Sequence, residues 1–160
     1  MKPGAFTQLY IHLVFAVQYR AYLLHDDIRP RIFEYMSGIV TDLKHKSIIV
    51  NGMPDHVHIL LGWHPNVSIS DTVHDIKRGT SLFINREKFF RGNFAWQEGY
   101  GAFSYSRSHL NNVYEYIQNQ QAHHQTKTLR QEYVDFLTHF NAQYDPRYLF
   151  EFFDDNLPTP

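Results

Sequence analysis

Two histidines stand two residues apart in the stretch Pro54-Asp55-His56-Val57-His58-Ile59-Leu60-Leu61. The run is apolar and rich in branched side chains, which predicts a strand. Side chains at i and i+2 share one face of a strand, so His56 and His58 project together while Val57, Ile59 and Leu61 point into a core. Two imidazoles side by side on a rigid element make half of a divalent-metal site. Alone, such a pair is better read as hydrogen-bonded polar residues on a half-exposed sheet, because so short a motif arises by chance. The stretch Val113-Tyr114-Glu115-Tyr116-Ile117-Gln118-Asn119-Gln120 tips the balance. At helical spacing it carries a candidate nucleophile and a candidate third ligand.

Each helical residue advances about 100°. Leu110, Val113, Tyr114 and Ile117 then share a stripe, and Tyr114 is expected to pack into the core. Tyr116 falls on the shoulder of that stripe and shares an edge with Gln120 at i+4. A free phenol titrates near about 10, so an attacking tyrosine needs a metal-polarised site or a general base. Asp55 has the position to orient a metal-bound histidine from behind, although a turn aspartate is explained equally well by the hairpin.

At 160 residues the chain is most simply one domain with a real core. Its 43% apolar content argues against disorder. The lack of cysteine excludes disulfides and thiolate metal sites and fits a reducing cytoplasm. Leu9 to Val17 is apolar but contains His12 and lacks the flanks of a signal peptide. No stretch is long and apolar enough to span a bilayer. A net charge of −1 argues mildly against nucleic-acid binding. Its distribution softens the objection, since residues 1–144 hold 14 basic and 12 acidic side chains. Lys77, Arg78, Arg86, Lys88 and Arg91 face only Glu87 in opposition, which permits a local phosphate-binding patch.

The elements that position these residues follow in order. A first strand is expected over 6–18, with Leu9, Ile11, Leu13, Phe15 and Val17 on one face and His12 on the other. Asp26 or Asp27 is expected to cap a helix running to about Leu43. A strand over Lys46 to Gly52 turns through Gly52-Met53-Pro54-Asp55 into the histidine strand, forming an antiparallel hairpin. Ser68 with Asp71 resembles a capping box and opens a helix to about Asn85. A fourth strand is expected over 94–105, with Gly99 and Gly101 marking a bulge or a close approach. Trp96, Tyr100, Phe103 and Tyr105 there suit either base stacking or core packing. A helix follows from Arg107 to His124, and Thr128 is expected to cap another. An acidic, aromatic tail spans 145–160, after a domain covering 1–144. The order is β-α-β-β-α-β: an α+β, ferredoxin-like antiparallel sheet with helices on one face and an added tyrosine-bearing helix. The other face is expected to be open, with His56 and His58 on it and His12 nearby.

Several blocks together resemble the single-strand transposases of small bacterial insertion sequences, the tyrosine HUH class with its IS200-like and REP-associated members. They are Tyr10-Ile11-His12-Leu13-Val14-Phe15, Met53 to Leu60, Ser70-Asp71 with Ile76-Lys77, Trp96 to Phe103, and Tyr116-Ile117-Gln118-Asn119-Gln120. The resemblance implies that His56, His58 and Gln120 hold Mg²⁺ or Mn²⁺ and that Tyr116 is the nucleophile, leaving a 5′-phosphotyrosine and a free 3′-hydroxyl. It also implies action on single-stranded DNA with hairpin-forming ends and, together with the open edges of the sheet, a homodimer in which the tyrosine helix can serve either its own or the partner's histidine pair. Asp55 and His12 would support the metal ligands. The alternative from another class is a non-catalytic or domesticated nucleic-acid-binding protein on the same fold. A hydrolase using activated water would leave Tyr116 without a role.

Overall fold

The computed structural model describes residues 4–123 together with Gln131, Val134 and Asp135. The expected helix from Thr128 lies almost wholly, and the aromatic tail entirely, outside the described residues. Strand β1 spans Tyr10–Ala16, helix α1 Arg29–Asp42, strand β2 Lys46–Met53 and strand β3 His56–Gly62. Helix α2 spans Ile69–Glu87, strand β4 Gly101–Tyr105, helix α3 Leu110–Gln118 and the short α4 Gln120–His123. The sheet order is β2-β3-β1-β4, with every neighbouring pair antiparallel. This is the α+β, ferredoxin-like arrangement that the element order predicts.

One face of the sheet is sealed by α1 and α2. Leu13, Phe15, Val57, Ile59 and Leu61 from the strands pack with Ile32, Met36 and Val40 of α1 and Val73, Ile76 and Phe83 of α2. These are the residues that period-2 and period-3.6 patterns direct inward. Ser68 caps α2 as expected, its hydroxyl accepting from the Asp71 N–H at 3.1 Å.

The β2–β3 hairpin places the histidines. Met53 pairs with His56, Gly52 with Val57 and Asn51 with His58 across a two-residue turn, Pro54-Asp55. A Cβ at Gly52 would run into the backbone carbonyl of His56, so glycine allows the strands to close. The segment after β1 wraps the turn. Val17 N–H donates to the Asp55 carbonyl at 2.8 Å and Leu24 N–H to that of Pro54 at 2.9 Å.

Four expectations are corrected. Neither Asp26 nor Asp27 caps α1: the cap is Ile28 without a side-chain bond, and Asp26 instead pairs with Arg29 at 2.7 Å. Leu9 precedes β1 and is 46% exposed. The fourth strand is shorter than 94–105 because Gly99 turns the chain at φ +93°. Before that bend only Trp96 bridges to Val17. Finally, the helix expected over 107–124 begins as a 3-10 turn at Arg107–His109 and breaks at Asn119, where φ is −98° and ψ 25°.

Candidate active site

The second sheet face carries the histidines, and it is not open. Val113 and Ile117 of α3 pack on Leu60, with Ile49, Leu110 and Tyr116 around them. This roof leaves His12, His56 and His58 fully buried. The expectation of an exposed histidine face fails because α3 folds back over its own sheet.

Each histidine is held from behind. The Asp55 carboxylate, nearly buried by the wrap of the 17–24 segment, accepts from His56 Nδ1 at 2.7 Å. His12 Nε2 lies 2.8 Å from His58 Nδ1, and the two rings stack at 5.0 Å. In both histidines Nδ1 is therefore the nitrogen gripped by its neighbour, and Nε2 is the one that would meet a cation. Across the site, Gln120 Oε1 lies 3.2 Å from His56 Nε2. The Tyr116 ring stands edge-on to His58, centroids 6.0 Å apart and planes at 86°. His56, His58, Gln120 and Tyr116 are thus brought together, with Asp55 and His12 behind the histidines.

The donor set fits a small oxygen- and nitrogen-binding cation. With His56 Nδ1–H committed to Asp55, Nε2 and the Gln120 oxygen face each other as two acceptors unless a proton or a cation stands between them. Their 3.2 Å separation is near the roughly 3 Å expected for adjacent ligands around an octahedral ion with bonds of about 2.1 Å. Among the described residues no three His, Cys, Asp or Glu side chains are grouped to hold a metal. The Gln120 amide oxygen beside His56 Nε2 would supply the further protein ligand of a site here.

The tyrosines separate clearly. Tyr114 is 37% exposed, not a core residue as its stripe suggested, because α3 buries Val113 and Ile117 instead. Tyr105 shares the cluster under α3, and burial pushes its phenol well above the ordinary value, which makes it a poor competing nucleophile. Of the aromatics suited to base stacking, Trp96 and Phe103 are buried, Trp96 edge-on to Phe15 at 4.8 Å. Tyr100 is the exposed one of the four.

The basic residues do not act as one face. Lys77 turns its Nζ to the carbonyls of Gln97 and Gly99, at 2.8 and 2.7 Å, over the Phe15 ring. Burial lowers its pKa to about 8. It anchors the bend before β4. Arg78, Arg86, Lys88 and Arg91 are exposed along α2 and the loop after it. Arg86 lies over the Phe83 ring, and Lys88 ends α2 in a left-handed conformation at φ +53°.

One residue escaped sequence reasoning. Asn51 reaches from β2 to the end of α3, donating to the carbonyls of Ile117 at 2.9 Å and Gln118 at 3.1 Å. Its signal was the hairpin register, which sets it opposite His58.

Burial, and then the neighbouring His58, hold His12 well below the ordinary histidine value; burial and His64 lower His45. The folded state then binds fewer protons than the unfolded one. This stability is complete above the unfolded value near about 6.5 and is lost as pH falls, by up to about 1.4 kcal/mol per pH unit for each group. Urea unfolding should show a less stable protein at about pH 5.5 than at about pH 7.5. A flat profile would contradict it.

Comparison with known proteins places the chain in a family. Residues 5–120 match the family model described as "Transposase IS200 like". The ISDra2 transposase TnpA of Deinococcus radiodurans is 28% identical over 123 residues, covering 73% of this chain and 87% of that protein. The crystal structure of a candidate transposase from Deinococcus radiodurans R1 superposes with a TM-score of 0.58 at 26% identity, over 75% of this chain and 96% of the other. A REP-associated tyrosine transposase bound to a REP hairpin shares the fold, with a TM-score of 0.57 at 12% identity over 78% and 74%. With the family model spanning β1 through Gln120, the chain belongs to the IS200-like transposase family.

Proposed function

We propose that this chain nicks and rejoins single-stranded DNA through Tyr116. The observation that carries the reading is the convergence of His56 Nε2 and Gln120 Oε1, 3.2 Å apart, beside the edge-on Tyr116 ring. His56, His58 and Gln120 would hold Mg²⁺ or Mn²⁺, which when bound supplies Lewis-acid polarisation of a phosphate oxygen. These three ligands carry no negative charge, leaving the cation's charge for the phosphate. The Tyr116 hydroxyl attacks the phosphorus in line. The Oη–P bond forms as the bond to the 3′ oxygen breaks; the phenol gives up its proton and the 3′ oxygen gains one. The 5′-phosphotyrosine keeps the phosphodiester energy, so rejoining needs no nucleoside triphosphate.

Hairpin-bearing single strands labelled at each end, incubated with Mn²⁺, test this. The 3′-hydroxyl fragment should be released and the 5′-phosphate fragment retained on protein through denaturation. Release of both fragments would indicate attack by water. Binding without cleavage would favour the non-catalytic alternative.

Single-stranded DNA with a hairpin is the proposed partner, supported by the hairpin-bound relative of the same fold. Its affinity should exceed that for blunt duplex and fall steeply with salt as phosphate contacts release counterions. Equal binding of any duplex would contradict this. Strands β2 and β4 form the two edges of the sheet, surfaces that a second copy can cover. A homodimer is therefore expected, and light scattering should give twice the 19.0 kDa protomer mass at micromolar concentration. Among the described residues no helix is long and apolar enough to cross a membrane.

A further inference from the structure

Helix α3 has nine residues, and a helix that short is marginal by itself. Its last carbonyls lack partners within the helix. No basic residue stands in its last turn, and its cap Asn119 is not left-handed. The sheet supplies what the helix lacks. Asn51 Nδ2 donates to the carbonyls of Ile117 and Gln118, and facing two acceptors fixes which way its amide points. Asn51 pairs directly with His58, so its Cβ stands on the histidine face.

The two carbonyls lie between Tyr116 and Gln120, where the helix breaks at Asn119. Beyond the break, Gln120 turns back so that its amide reaches both His56 Nε2 and, at 3.5 Å, the Tyr116 carbonyl. We infer that Asn51 is a positioning residue: it fixes the break at 117–119 so that Tyr116 and Gln120 both meet the histidine pair. The inference rests on the transposase reading for the roles of Tyr116 and Gln120. It names a residue outside the ligand set that ties both roles to β2.

Asn51→Asp keeps the shape of the side chain but sets a carboxylate against two carbonyl oxygens. Hydrogen exchange of the metal-free protein should be faster over α3 and Gln120 and unchanged over β1, α1 and α2. Mn²⁺ affinity by calorimetry should weaken about tenfold. With DNA, kcat should fall about 10²-fold at unchanged KM, and Asn51→Gln, which keeps both N–H donors, should recover part of it. Unchanged exchange over α3 overturns the inference. So does faster exchange with Mn²⁺ affinity and kcat at wild-type values, since that is a structural role alone. If Asn51→Asp does not fold, Asn51→Ala is read by the same criteria. A wild-type chain that forms no adduct overturns the transposase reading, and the exchange and Mn²⁺ comparisons then decide the role of Asn51.

Discussion

Replacing His56 or His58 should lower metal-dependent cleavage by about 10²–10³-fold or more, the scale for losing one electrostatic stabiliser at a transition state. Each substitution also carries a folding cost, because both rings are fully buried beneath α3. His56→Ala would remove the hydrogen bond between the His56 ring and the nearly buried Asp55 carboxylate, a loss of about 1–3 kcal/mol. His58→Ala would open a cavity against His12, whose ring stacks on it. Activity must therefore be measured on protein shown to be folded, with His56→Asn and His58→Asn as the gentler pair. Asp55→Asn should cost less, about 10–100-fold, since it acts through the orientation of His56. Wild-type cleavage by a folded variant lacking either imidazole would refute the metal assignment.

Tyr116→Phe should eliminate the covalent DNA adduct while leaving DNA and Mn²⁺ binding near wild-type. The ring would still pack in the cluster of Leu60, Val113 and Ile117, so stability should change by no more than about 1.5 kcal/mol, the scale of one hydroxyl hydrogen bond. The effect on chemistry is far larger because, among the described residues, no other phenol stands where Tyr116 does. Tyr114 is exposed on the outer side of α3, and Tyr105 is raised by burial. Tyr114→Phe should accordingly retain the adduct.

Where local pattern and core packing demanded the same thing, the sequence was readable. The His-x-His strand, the Ser68 cap and the inward stripe of α2 each satisfy a short-range rule and a long-range contact at once. The ferredoxin-like arrangement followed from element order alone. The errors came where a distant segment decided the outcome. Burial of His56 and His58 depends on α3 returning over the sheet, and no local pattern around residues 54–61 encodes that. Tyr114 was misplaced because a stripe drawn on one helix cannot show which side meets Leu60. Lys77 reads as a surface cation until the 97–99 carbonyls close on it. Gly99 did announce an irregularity, though not that it would shorten the strand. No local pattern marks Asn51, and only the register with His58 reveals its reach to α3.

The measurement that tests the central claim most directly is peptide mass mapping of the trapped adduct. Wild-type protein would be incubated with hairpin-bearing single-stranded DNA and Mn²⁺, denatured, digested with nuclease and protease, and sequenced by mass. The nucleotide should sit on Tyr116, in a peptide that remains unmodified when Mn²⁺ is removed or when Tyr116 is Phe. A nucleotide carried by Tyr114 or Tyr105, or an adduct that persists in Tyr116→Phe, would contradict the assignment of Tyr116 as the attacking group.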